Sequence, residues 1–200
     1  MDKKIIIGID QSYKDTGITI ALNGKVKNVF DLKLAKLKNN SERRTELRCF
    51  LDKLITKMLT KSDDVTVIIE RIRLSSQGFI NIDYIKSIGA LNATMVDVAN
   101  SHGVPIYSVD TRSWKSNIIG TSKGRNNEYG FDEKKWPTIL WAISNGYEGY
   151  IKEEVSKQKK KAVICKNGER YTYNDNKADS IGIALYGFLP YNKQKLEEEH

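Results

Sequence analysis

The segment KIIIGID, residues 4–10, constrains the fold of this chain more than any other. Its apolar residues are consecutive rather than alternating, so it reads as a short buried strand. The strand ends on Asp10. Burying a carboxylate costs on the order of several kcal/mol unless a cation, hydrogen bonds or a metal meets it. A second apolar run, VTVIIE at 65–70, reads as a strand buried on both faces and ends in the same way on Glu70. In NDNKADSIGIALYG, residues 174–187, Asp175 and Asp179 stand at the start of an apolar helix pattern.

The segments between these acids set the architecture. TGITIAL from Thr16 and KVKNVFDLKL read as strands, and Asn23-Gly24 between them is a two-residue hairpin signal, giving an antiparallel three-stranded meander. A helix from about Ser41 carries Leu47, Phe50, Leu51, Leu54, Ile55, Met58 and Leu59 at steps of three and four. After the strand ending at Glu70, a helix begins near Asp83 or Tyr84, and Gly103 is placed to end it, with His102 as a helix cap. VPIYSVD is a further strand. Short helices follow over Thr111 to about Ile119 and Phe131 to Asn145, with Pro137 in the first turn of the latter or kinking it. The last helix runs from about Asn176 to Phe188, with Asp175 as its N-cap. The order predicts an α/β domain: a mixed five-stranded sheet, its first three strands antiparallel, flanked by helices. One domain spans 1–190, with a basic insertion at about 146–173 whose Asn167-Gly168 suggests a hairpin, and 191–200 is a charged tail.

Lysine and arginine number 33 against 25 acidic residues, a formal net charge of +8. An excess of that sign points to a polyanionic partner, and nucleic acid is the common one. The two cysteines, Cys49 and Cys165, have no metal-ligand spacing and suggest no disulfide framework, so a cytoplasmic location is expected. No stretch approaches a membrane span, and no small-molecule cofactor is expected.

Each acid has a plain structural role open to it. Asp10 suits a turn before Gln11-Ser12, Glu70 can pair with Arg71 or Arg73, and Asp179 lies near a helix N-terminus, where the dipole favours any acid. Together they carry more weight. If the strands ending at Asp10 and Glu70 are neighbours, both carboxylates emerge at one end of the sheet, and the last helix can bring Asp179 there. Converging carboxylates repel, and a hard divalent cation, Mg²⁺ or Mn²⁺, removes the conflict. Two such ions about 4 Å apart activate water and stabilise the leaving oxygen in phosphodiester hydrolysis.

GIDQSYKDTGI, VIIER and NKADSIGIAL, in this order, resemble the three acidic motifs of RuvC-type Holliday junction resolvases. The stretch SIGALNATMVDVANSHGVPIYSVDTRSWKSNIIGTSKG is similar to that family's helix, strand and lysine-bearing segment. The resemblance covers roughly residues 4–145 and 174–189, and the lysine- and asparagine-rich composition hints at a phage-encoded or otherwise divergent member, acting in a bacterial host's cytoplasm.

It implies a ribonuclease H-like fold, a homodimer with the 84–102 helix at its interface, and two-ion Mg²⁺-dependent cutting of four-way DNA junctions, leaving 5′-phosphate and 3′-hydroxyl ends. Asp10, Glu70 and Asp179 fall on three metal-ligating positions. The fourth, three residues before Asp179, is Asn176, a departure from the family's acid, and Asp175 is the alternative ligand. Lys115 matches a lysine close to the scissile phosphate, and Lys134, Lys135 or Lys123 is a candidate for a second. Phe79 matches an aromatic that stacks near the junction centre, and Lys159, Lys160 and Lys161 in the insertion are candidates for contacting DNA arms. Alternatives are a nuclease of this fold acting on flaps, forks or RNA–DNA hybrids, a non-catalytic junction-binding protein, and an ATP-dependent actin-like or kinase fold. The last needs a second glycine-rich phosphate loop, which the sequence lacks.

Overall fold

Ile5, Ile7 and Ile9 pack on one side of the first strand and Ile6 on the other, which is why the run is apolar without alternation. The computed structural model describes residues 3–72, 82–155, 162–190 and 196–198. Strand β1 (Lys4–Asp10) pairs antiparallel with β2 (Asp15–Leu22), which pairs antiparallel with β3 (Lys25–Lys33). Asn23 and Gly24 turn the chain with φ of 48° and 75°, the left-handed pair that a two-residue hairpin requires.

Helix α1 (Asn40–Leu59) is capped by the Asn39 side chain, which accepts from Glu42 N at 2.9 Å. Strand β4 (Asp64–Glu70) returns parallel to β1, and β5 (Ile106–Val109) follows α2 (Ile82–Ser101) parallel to β4. Helices α1 and α2 cover the face that carries Ile5, Ile7 and Ile9. The opposite face carries Ile6 and Ile68 and lies under α3 (Thr111–Ile118) and α6 (Asp175–Tyr186). Asp10 and Glu70 have the parity of Ile6 and Ile68, so their side chains leave the sheet on that second face.

Three features differ from the sequence reading. The sheet has six strands, in the order β3-β2-β1-β4-β5-β9, because β9 (Leu196–Glu198) adds antiparallel to β5. Residues expected in a charged tail thus pair at a sheet edge, with Leu196 on the core and Glu197 paired to Arg71. Helix α4 (Trp136–Ser144) starts five residues later than expected, because the Asn127 side chain accepts from Tyr129 N and Phe131 N and holds that stretch in a loop. The N-cap of α6 is Asn174, which accepts from Lys177 N at 3.0 Å, and Asp175 is its first helical residue.

The inserted segment forms a short helix α5 (Glu148–Ile151) and a small antiparallel sheet, β6 (Lys152–Glu154), β8 (Glu169–Tyr173) and β7 (Ile164–Lys166), in that order. Its hairpin turns at Asn167 and Gly168, with φ of 52° and 79°. Ile151, Ile164, Tyr171 and Tyr173 are buried with Trp136 and Ile139 of α4 and Ala178 and Ile181 of α6. The described part of the insertion therefore packs on the body through an aromatic core. Among the described residues no helix is long and apolar enough to cross a membrane.

Candidate active site

The register of the sheet determines which carboxylates meet. Ile9 lies beside Ile69 in the parallel β1–β4 pair, so Asp10 and Glu70 end adjacent strands at the same level. Asp10 also lies opposite Gly17 of β2. The second face is opened there by glycines. A Cβ at Gly8 would collide with the backbone of Ala184, and one at Gly17 with the carbonyl of Asn176. Without those side chains α6 lies directly on β1 and β2, which carries Asp179 to the sheet end. The buried hydroxyls of Thr19 and Ser180, 2.8 Å apart, lock this seating next to Asp179.

Helix α3 supplies the partners of Glu70. Thr111 Oγ1 donates to Glu70 Oε1 at 2.7 Å, and Trp114 Nε1 donates to Glu70 Oε2 at 2.9 Å. Glu70 is thus oriented by neutral donors. Of the basic partners open to it in the sequence, Arg71 pairs with Glu197, and Arg73 lies outside the described residues. One residue past Trp114, Lys115 is buried with its Nζ 3.4 Å from Asp179. Gln11 donates from Nε2 to the Glu70 carbonyl, and its Oε1 is buried without a hydrogen bond.

The electrostatics reflect crowding. Burial, then the Asp179 and Glu70 carboxylates, push Asp10 well above the usual aspartate range. Burial also raises Asp179 to about 6; Lys115 opposes that rise and Glu70 adds to it. Lys135 is ion-paired with Asp175. Burial works against its charge, but Asp175, Asp10 and Asp179 outweigh it and hold the ammonium above its ordinary value.

The structure therefore gathers Asp10, Glu70, Asp179, Asp175, Lys115 and Lys135 at one sheet end. Lys134 is exposed, and Lys123 is exposed beyond the end of α3. Asn176 turns its amide Nδ2 to the Asp15 carbonyl, at 2.6 Å. Phe79, Lys159, Lys160 and Lys161 lie outside the described residues. Sequence reasoning did not single out Thr111, Trp114 or Gln11. The signal for the first two is their three-residue spacing in TRSWK, which sets both on one face of the helix that also bears Lys115.

The donor set suits a hard divalent cation: carboxylate oxygens, no thiolate, and a buried Asp179 Oδ1 that makes no hydrogen bond. Among the described residues, however, no three His, Cys, Asp or Glu side chains stand close enough together to hold an ion.

No protein-family profile matches the sequence, and no curated protein matches it. Solved structures do. The fold is similar to that of Thermus thermophilus RuvC in complex with a Holliday junction substrate, with a TM-score of 0.61 at 15% identity over 92% of this chain and 93% of that one. A second Thermus thermophilus RuvC structure gives 0.57 at 16% identity, over 92% and 93% of the two chains. The yeast mitochondrial Holliday junction resolvase Ydc2 gives 0.52 at 15% identity, over 94% and 78%. What this chain shares with them at such identities is the fold, the ribonuclease H-like fold of RuvC-type resolvases.

Proposed function

We propose that this protein is a divalent-metal-dependent, structure-selective endonuclease that resolves four-way DNA junctions. The observation that carries the reading is the convergence of Asp10, Glu70 and Asp179 from β1, β4 and α6 at one sheet end, at a cost in buried repulsion that no ion pair within the cluster cancels. The basic charge of the chain and its fold support a DNA substrate.

In this reading Asp10, Glu70 and Asp179 would hold the first ion, and Asp175 the second in exchange for its pairing with Lys135. When bound, Mg²⁺ or Mn²⁺ supplies Lewis acidity at the phosphate and lowers the pKa of water. The protein's own part is orientation and charge. Thr111 and Trp114 fix the plane of the Glu70 carboxylate. Lys115 exchanges its carboxylate for the scissile phosphate and neutralises charge as the transition state forms. Lys135 does the same from the start of α4. A homodimer would present two such sites for paired cuts.

The test is cleavage of a labelled four-way junction beside linear duplex of the same sequence, with Mg²⁺, Mn²⁺ or EDTA. Paired nicks in the junction, with either metal and not with EDTA, are the expected result. Cutting of duplex and junction alike, or junction binding with no cutting under any metal, would overturn it. A smaller effect follows from the Glu70 clamp. Thr111→Val removes one hydrogen bond to a ligand and leaves its shape, so Mg²⁺ affinity, read by calorimetry, should weaken by about 10- to 100-fold. Unchanged affinity would mean that Glu70 does not bind the ion.

A further inference from the structure

Helices α3 and α4 both begin at the carboxylate cluster, and a groove lies beyond it where α3 ends. Ile119, whose N–H bonds the Lys115 carbonyl at 2.9 Å, is one helical turn past the site on α3. Pro137, Leu140 and Trp141 of α4 form the other wall, and Lys123 and Arg125 stand on the loop between the helices. The groove measures about 430 Å³, and among the described residues no carboxylate lines it. That size falls in the usual range for small-ligand sites, about 300–1,000 Å³. Its lining joins the apolar Ile119, Pro137, Leu140 and Trp141 and the neutral Thr121, Ser144 and Asn145 to two exposed cations, the pairing that suits an unstacked base with charged phosphates beside it.

The indole is built as a platform. Trp114 and Trp136 are buried, with 0% and 7% of their surface exposed, whereas Trp141 is partly open to solvent. Tyr147 backs it, ring centroid to ring centroid 5.8 Å. We propose that this groove binds an unpaired nucleotide of the DNA strand leaving the carboxylate site, its base stacked on Trp141 and its flanking phosphates on Lys123 and Arg125. The identity of the ligand rests on the DNA-acting reading above. In this role Lys123 is a strand-holding residue and not a second active-site lysine.

The test reads the protein's tryptophan fluorescence as a short oligothymidylate is added in EDTA, where no strand is cut. Saturable quenching is expected. Trp141→Phe keeps an aromatic face, so it should retain binding but lose the quenching. Trp141→Ala should weaken binding by about 5- to 150-fold, the loss of one stacked base. The double variant Lys123→Ala/Arg125→Ala changes exposed residues only. It should lower the slope of log affinity against log salt by about 1.4, two phosphate contacts at about 0.7 each for a single strand.

Quenching that persists in Trp141→Phe, or a salt slope unmoved by the double variant, would overturn the proposal. So would fluorescence that responds to protein concentration and not to DNA, which would assign the groove to a second copy of the chain. Because binding is read without cleavage, the two readings fail separately. A protein that cuts junctions but shows no Trp141 signal retains the nuclease reading, and one with the signal but no cutting retains the groove.

Discussion

Asp10→Asn should abolish metal-dependent junction cleavage and, in the same preparation, raise the thermal midpoint of the metal-free protein at pH 7.5. Both results have one cause. Asp10 ends β1 under α6, with Asp179 and Glu70 near enough to push its carboxyl well above the usual range. Asparagine keeps the shape and removes the charge. Activity should fall by about a hundredfold to a thousandfold or more, the scale on which losing a single group that stabilises transition-state charge is felt. Stability should rise because a repulsion has gone. In a chain of this size each kcal/mol relieved raises the midpoint by about 2–4 °C.

The pH dependence follows the same sign. Asp179 titrates at about 6 in the folded protein against 3.8 ordinarily, so between those values the folded state holds a proton that the unfolded state releases. Metal-free wild type therefore loses stability as pH rises through that window, and the penalty is fully present above it. Asp10, raised in the same direction, adds to the loss. The stability of Asp10→Asn should be flatter across the window. Added Mg²⁺ should restore the wild type at pH 7.5 and act much less on the variant. A variant less stable than wild type in EDTA at pH 7.5, or one that still cuts junctions, would remove Asp10 from the site.

Asp10 and Glu70 stood out in the sequence because each breaks a local rule: a charge closes a five-residue run that otherwise reads as a buried strand. The hairpins at Asn23-Gly24 and Asn167-Gly168 were legible because their left-handed backbone admits few residues. What holds the carboxylates was harder to read. Thr111 and Trp114 reach Glu70 from 41 and 44 residues away, and nothing local marks a tryptophan as a hydrogen-bond donor rather than a core residue. The engagement of Asp175 by Lys135, 40 residues away, was hidden for the same reason. The sixth strand was missed because LEE has neither the length nor the apolar pattern of a strand, and pairs through its backbone to an edge that β5 leaves open.

Gly17→Ala should cost both stability and cleavage, although residue 17 carries no chemistry. Glycine is present there because α6 crosses β2 where any Cβ would enter the Asn176 carbonyl. The helix cannot yield locally. Its first turn is fixed by the Asn174 cap, by Asn174 Nδ2 donating to Asp31 at 2.6 Å and Glu153 at 3.0 Å, and by Asn176 bonded to Asp15. The added methyl must therefore push α6 away from β1 and β2 as a unit, at about 1–3 kcal/mol for overpacking, or about 2–4 °C of midpoint per kcal/mol. Asp179 moves with it, away from Asp10. A misplacement of about 1 Å in a reacting constellation can cost on the order of a hundredfold in rate. In the middle of α2, by contrast, a Cβ at Gly89 meets nothing of its own chain within 4 Å, so Gly89→Ala should stabilise the single chain by about 0.5–1 kcal/mol. If Gly17→Ala melts and cuts like wild type, the seating of α6 on the sheet is not what brings Asp179 to Asp10, and the third carboxylate must be sought elsewhere.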